Sequence, residues 1–150
     1  MPKSKVAKVT TILFKLILIT GIICLFFIPK LYDLFKDIGI PIWKEHTVYY
    51  KIAFYLCYII CLSIIYILNL IFKNIYKDTP FKKTTEILLK IIAILFMLLS
   101  VIVLIKVIYI PTPLSFAIII ITFIISMCFY VLSQVFKVAN SYKQEIDYTI

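Results

Sequence analysis

Long apolar runs without charge constrain the fold of this 150-residue chain more than any other feature. Residues 52–72 and 107–136 contain no charged side chain, and 16–29 and 91–105 are two shorter uncharged runs. About 20 apolar residues cross the hydrocarbon core of a bilayer as a helix. Because 64% of the residues are hydrophobic, a soluble domain of this size would lack enough polar surface to cover its core. The sequence therefore predicts an integral membrane protein.

The predicted fold is all-α, an integral membrane four-helix bundle. Helices are expected because backbone in lipid must satisfy its own hydrogen bonds, and a β-barrel would show short alternating segments instead of long runs. The predicted helices cover, in chain order, about 9–30, 50–73, 84–109 and 113–137. The predicted connections are an outer loop at about 31–49, a cytoplasmic loop at about 74–83 and a cytoplasmic tail at 138–150. Pro111 and Pro113 divide the longest run and predict a tight hairpin at Tyr109–Pro113.

The lysines predict the orientation, since the chain has no arginine. Lysines occupy the N-terminal segment, the middle loop and the tail, whereas the hairpin at Tyr109–Pro113 has none. The positive-inside rule then places both termini in the cytoplasm, which is an N-in, C-in topology. Lys36 and Lys44 in the first loop run against this rule, because the acidic residues beside them count little in it. The net charge of +9 indicates contact with the lipid bilayer and its anionic headgroups, with no direct nucleic-acid binding.

The first loop is the longest segment predicted outside the membrane on the outer side. Its Trp43, Tyr49 and Tyr50 are residues typical of the membrane interface. This loop could form an external sensing surface, but an interfacial cap that joins two helices is the favoured interpretation. His46 is the only histidine, and in a charged loop it is expected to be solvated.

The sequence lacks the residue sets that catalysis or intramembrane ion transfer would need. No acidic residue lies deep in a predicted helix, and we find neither a nucleophile–base set nor a glycine-rich phosphate loop. Cys57 and Cys61 are four residues apart and could present two thiolates to a soft metal, but small buried hydrophobic residues are the favoured interpretation. We predict no enzyme activity, no cofactor and no metal. Small and polar residues in the runs are expected to pack and bond the helices together: Ala53, Ser63, Ala93, Ser100, Ala117, Ser126, Ser133, Asn69, Thr122 and Gln134.

One short basic segment, YKDTPFKKTTEILL at 76–89, interrupts the apolar sequence, and it contains a recognisable motif. The motif residues are Asp78, Thr79, Pro80 and Phe81, and Leu88, Leu89 and Lys90 follow them. This pattern resembles the middle-loop motif of a family of bacterial four-helix membrane proteins known as domain of unknown function 2975. Taken by themselves, Thr79 and Pro80 also suit the N-cap and first position of the third helix.

The C-terminal residues carry the second part of the resemblance. The family ends in a pattern similar to Glu-Asn-Asp-Leu-Thr-Ile, and this chain ends Glu145, Ile146, Asp147, Tyr148, Thr149 and Ile150. Ile146 and Tyr148 depart from the family pattern. The resemblance implies a multi-pass protein of the bacterial cytoplasmic membrane, and family members are often encoded beside a small helix-turn-helix regulator.

Four interpretations of function stay open. In the leading hypothesis, the DTPF loop and the acidic tail bind or signal to a cytoplasmic partner, the helix-turn-helix regulator, with Phe81 as an apolar anchor and Glu145 and Asp147 facing a basic surface. In the structural interpretation, the DTPF motif starts a helix and the tail packs against it. A third is a small immunity or transport-accessory protein that acts within the bilayer. The last is a homo-oligomeric structural subunit.

Overall fold

The computed structural model describes residues 5–38, 47–77 and 82–149. Over these residues the chain is all-α and contains no strand, as the apolar runs predict. The helices are α1 (Lys5–Ile38), α2 (Thr47–Tyr76), α3 (Lys83–Tyr109) and α4 (Pro113–Thr149). All four are long and apolar enough to cross a membrane.

The helices extend beyond the apolar runs that predict them. α1 continues through Pro29 to Ile38, into the segment predicted as the outer loop. α4 continues to Thr149 and includes almost all of the segment predicted as a tail. Hydrophobicity marks where a bilayer can lie, whereas a helix continues wherever backbone bonding and propensity allow. The 138–149 segment contains no Pro or Gly, so nothing in it interrupts the helix.

The connections beside α3 are short. The carbonyl of Lys82 accepts hydrogen bonds from the N–H groups of Thr85 at 2.9 Å and Glu86 at 3.4 Å, which starts α3. α3 ends at Tyr109 and α4 begins at Pro113, at the positions that the proline pair predicts. There the carbonyl of Thr112 accepts the N–H of Ser115 at 3.0 Å.

Neighbouring helices in the chain pack against each other in antiparallel pairs. The most extensive contact joins α3 and α4, and smaller contacts join α1 to α2 and α2 to α3. A buried apolar cluster connects α2 and α3, and Phe129 and Phe136 of α4 pack against it. The cluster consists of Ile60, Ile64, Ile71, Leu89, Ile92 and Leu99. Most other apolar side chains of the helices are exposed, as expected for surfaces that face lipid.

Small polar side chains donate two hydrogen bonds between α3 and α4. Ser126 Oγ donates to the carbonyl of Ala93 at 2.7 Å, and Ser100 Oγ donates to that of Ile119 at 3.4 Å. Small residues let two helix backbones approach closely in lipid, where no hydrophobic force drives helices together. The α4 side of this contact is a row of buried hydroxyl residues: Ser115, Thr122, Ser126 and Ser133. Thr122, however, bonds to carbonyls of its own helix.

The contact between α1 and α2 is smaller and depends on a glycine. A Cβ at Gly21 would lie 2.5 Å from Leu62 Cδ2, so any side chain there would force the Leu62 side chain to move. The Tyr58 hydroxyl donates to the Gly21 carbonyl at 2.7 Å, and the rings of Phe14 and Phe72 stack at 5.2 Å. Only 6% of the most apolar window of α1 is buried, against 22% for α3. α1 is therefore the least tightly held of the four helices.

Candidate functional site

We call the end at which α2 stops and α3 starts the loop end, and the end at which α3 stops and α4 starts the hairpin end. Ser126 contacts the first half of α3 through Ala93, whereas Ser115 contacts its last turn through Lys106. The C-terminal part of α4 therefore leaves the molecule at the loop end.

The sequence-predicted site residues are distributed unevenly over the described structure. Asp78, Thr79, Pro80, Phe81 and Ile150 lie outside the described residues. Glu145, Asp147 and Thr149 lie in the last turns of α4, and all three are exposed. The Thr149 hydroxyl donates to the Glu145 carbonyl, one turn earlier in the same helix.

The end of α4 projects past the helix on which α4 packs. Phe136 packs on the cluster that includes Leu89, early in α3, and α3 starts only at Lys83. We call residues 138–149 the α4 projection, which is about 18 Å long at 1.5 Å per residue. Every side chain from 141 to 149 is exposed. This part of the helix therefore presents exposed side chains on all of its faces.

The α4 projection is amphipathic. Val138, Tyr142 and Ile146 recur every fourth residue and form an apolar stripe, and each is more than half exposed. At about 100° per residue, Glu145 lies about 60° from Tyr142 and borders the stripe. Asp147 lies about 140° away, on the other side of the helix. The two carboxylates that the sequence analysis assigned to one basic surface therefore face different directions.

A polar cluster lies at the hairpin end, inside the apolar part of the helices. Lys106 is the only charged residue between Lys90 and Lys137 in the sequence. Its amine donates to Ser115 Oγ at 3.2 Å, and that oxygen lies 2.6 Å from Thr112 Oγ1. This cluster joins the last turn of α3 to the first turn of α4.

Two cavities meet at Lys106. One, of about 410 Å³, lies between α2 and α3 and is lined by largely exposed residues that include Tyr49, Ile52 and Tyr109. The other, of about 430 Å³, is lined by residues of all four helices, among them the buried Tyr32 and Ser115. The cavities share four lining residues: Tyr50, Ala53, Ile102 and Lys106. Almost all of the remaining lining is apolar, as in many small-molecule sites.

Charge pairing at the hairpin end is sparse. Within the described ranges, Lys51 and Asp33 form the only ion pair, at 3.5 Å, and the Lys51 amine also lies 5.1 Å from the centre of the Tyr32 ring. Over the same ranges, no three His, Cys, Asp or Glu side chains come together in a group that could hold a metal ion. Cys57 and Cys61 are free thiols that line the cavity formed by all four helices.

Comparisons of the chain with protein-family models, with curated proteins and with solved structures find no match.

The Lys106 cluster was not predicted from the sequence. A single lysine about one turn before a hairpin is usually explained by a long side chain that reaches the interface. The signal for a site was the combination of that lysine with hydroxyl residues across the hairpin, at Thr112 and Ser115. Their proximity depends on the turn geometry, which the sequence pattern does not specify.

Proposed function

We propose that this protein is a non-enzymatic, multi-pass protein of the bacterial cytoplasmic membrane whose α4 projection binds a cytoplasmic protein partner. In this proposal the helices form an N-in, C-in four-helix bundle, so that the loop end faces the cytoplasm. The observation that carries the proposal is the exposed amphipathic helix that extends about 18 Å past the start of α3.

The chemistry of the α4 projection favours a protein groove over a lipid surface. Amphipathic helices that bind anionic membranes are rich in Lys and Arg on the polar face. Residues 138–149 contain one lysine and two acidic residues, so this segment is net negative and is repelled by anionic headgroups. A helix that docks in a protein groove uses apolar anchors at a spacing of three or four residues. Val138, Tyr142 and Ile146 supply that spacing.

The partner is then expected to carry an apolar groove with a basic residue at its rim, facing Glu145. The family resemblance implies a small helix-turn-helix regulator as that partner. A helix-turn-helix regulator is basic where it contacts DNA. Binding of the α4 projection to this regulator would link the regulator's DNA binding to the state of the membrane. The DTPF loop, Asp78 to Phe81, belongs to this proposal as a second contact at the loop end.

Crosslinking and pull-down from native membranes test this proposal. We expect the full chain to capture a small DNA-binding protein and the chain without residues 143–150 to lose it while remaining inserted. Glu145→Lys is expected to abolish capture, and Asp147→Lys is the matched control, because it makes the same charge change on the opposite face. The proposal is refuted if the inserted deletion variant retains the partner, or if Asp147→Lys is as damaging as Glu145→Lys.

A further inference from the structure

We propose that the cleft around Lys106 binds an anionic amphiphile, with its acyl chain in the cavity between α2 and α3 and its carboxylate or phosphate head paired with the Lys106 amine. This inference uses only the hairpin end, and it does not rest on partner binding by the α4 projection.

The Lys106 amine is only partly hydrogen-bonded within the described chain. An ammonium group has three N–H donors, and Lys106 uses one of them on Ser115 Oγ at 3.2 Å. Over the described residues, the one contact within 4.0 Å between a cation and a carboxylate joins Lys51 to Asp33. No described carboxylate is therefore paired with the Lys106 amine. A cationic side chain among apolar transmembrane residues is costly to desolvate, and pairing with an anion offsets that cost. The amine therefore has donors available for an anion that comes from outside the described chain.

The size and lining of the two cavities suit an apolar chain. Each has a volume, about 410 and 430 Å³, within the usual range of ligand sites, and each touches Lys106. Apart from Lys106 and the tyrosine hydroxyls, the cavity between α2 and α3 is lined by carbon: Ile52, Ala53, Leu56, Ile102 and Ile105. A long apolar chain suits that lining, whereas a small hydrophilic anion would leave it filled with water.

The cavity between α2 and α3 is accessible from the outside of the molecule. Ile52 and Ile105, on opposite walls of the cavity between α2 and α3, are 55% and 52% exposed. This cavity is therefore open along the apolar flank of the two helices, where lipid chains would lie. A chain that enters from that side brings its polar end toward Lys106 at the hairpin end. The presence of a single cation in this open apolar cleft favours a ligand with a single charged head.

Binding to the full chain in neutral phosphatidylcholine nanodiscs tests the inference. The probe is a fluorescent fatty acid, and the competitors are oleate, oleoyl lysophosphatidate and the uncharged monoolein. We expect at least one anionic competitor to bind about tenfold more tightly than monoolein, because a hydrogen bond to a charged group is worth roughly that factor. The stronger of the two anions identifies the head group as carboxylate or phosphate.

Two variants and a control complete the experiment. Lys106→Gln is expected to weaken the preferred anion about tenfold and leave monoolein unchanged. Lys90→Gln removes the same charge from the same helix far from the cleft, so its binding should match the parent protein. Ile102→Trp fills both cavities at a residue that lines each of them, and it should block all three competitors. Equal affinity for monoolein and both anions, unchanged binding by Lys106→Gln, or full binding by Ile102→Trp would overturn the inference.

Discussion

The contact between α3 and α4 depends on small side chains, so we expect Ser126→Leu to destabilise the fold strongly. Ser126 is 3% exposed and faces the backbone of α3, where its hydroxyl bonds to the Ala93 carbonyl at 2.7 Å. Loss of one interhelical hydrogen bond in a membrane protein costs about 0.6 kcal/mol. Forcing extra methylene groups into a packed contact costs about 1–3 kcal/mol more. The expected loss in the free energy of unfolding is therefore about 2–4 kcal/mol for Ser126→Leu and about 0.6 kcal/mol for Ser126→Ala.

Steric trapping in bicelles can measure these free energies of unfolding in the full chain. Ala117→Leu is the matched control, because Ala117 lies on the same helix and is exposed. We expect that control to change the stability by less than about 0.5 kcal/mol, as for other surface substitutions. If Ser126→Leu were no more destabilising than Ala117→Leu, close approach of α3 and α4 through small residues would be refuted.

The same assay tests three further expectations. Gly21→Leu should weaken the contact of α1 with α2 by about 1–3 kcal/mol, because even a Cβ there would lie 2.5 Å from Leu62 Cδ2; a change under 0.5 kcal/mol would contradict the close approach. Tyr58→Phe should cost about 0.6 kcal/mol, for the bond to the Gly21 carbonyl, and a loss above about 2 kcal/mol would mean that the hydroxyl has a larger role. Thr85→Val should be neutral or stabilising, since the buried Thr85 Oγ1 has no hydrogen-bond partner among the described residues, and clear destabilisation would show that the hydroxyl is bonded.

Much of the fold could be predicted from the sequence because bilayer crossing depends on simple quantities. Run length and absence of charge identify the four apolar helices, and Pro111 and Pro113 identify the break between the last two. Several small residues that the sequence marked for helix packing, including Ala93, Ser100 and Ser133, are buried in the structure. Ala117 is not, because a composition argument does not identify which face of a helix meets its neighbour.

The candidate sites could be predicted only in part. The acidic residues at the C-terminus were identified from the sequence. Because their segment was predicted as a tail and not as a helix, the sequence did not show which of them lie on the same helix face. Once residues 138–149 are helical, Glu145 borders the apolar stripe and Asp147 does not. The Lys106 cleft depends on how α2 and α3 diverge beside a turn, and hydropathy patterns carry no information about that geometry.

Measuring the membrane orientation of α4 tests the proposed function most directly, because partner binding requires the α4 projection to lie in the cytoplasm. The measurement is labelling of single cysteines with a membrane-impermeant maleimide, in a chain whose four native cysteines are replaced by alanine. Pro111→Cys reports the hairpin end and Ser141→Cys reports the α4 projection, and both positions are exposed. We predict that Pro111→Cys is labelled in intact cells and that Ser141→Cys is labelled only after the membrane is opened. Labelling of Ser141→Cys in intact cells would contradict the proposed topology and, with it, a cytoplasmic partner.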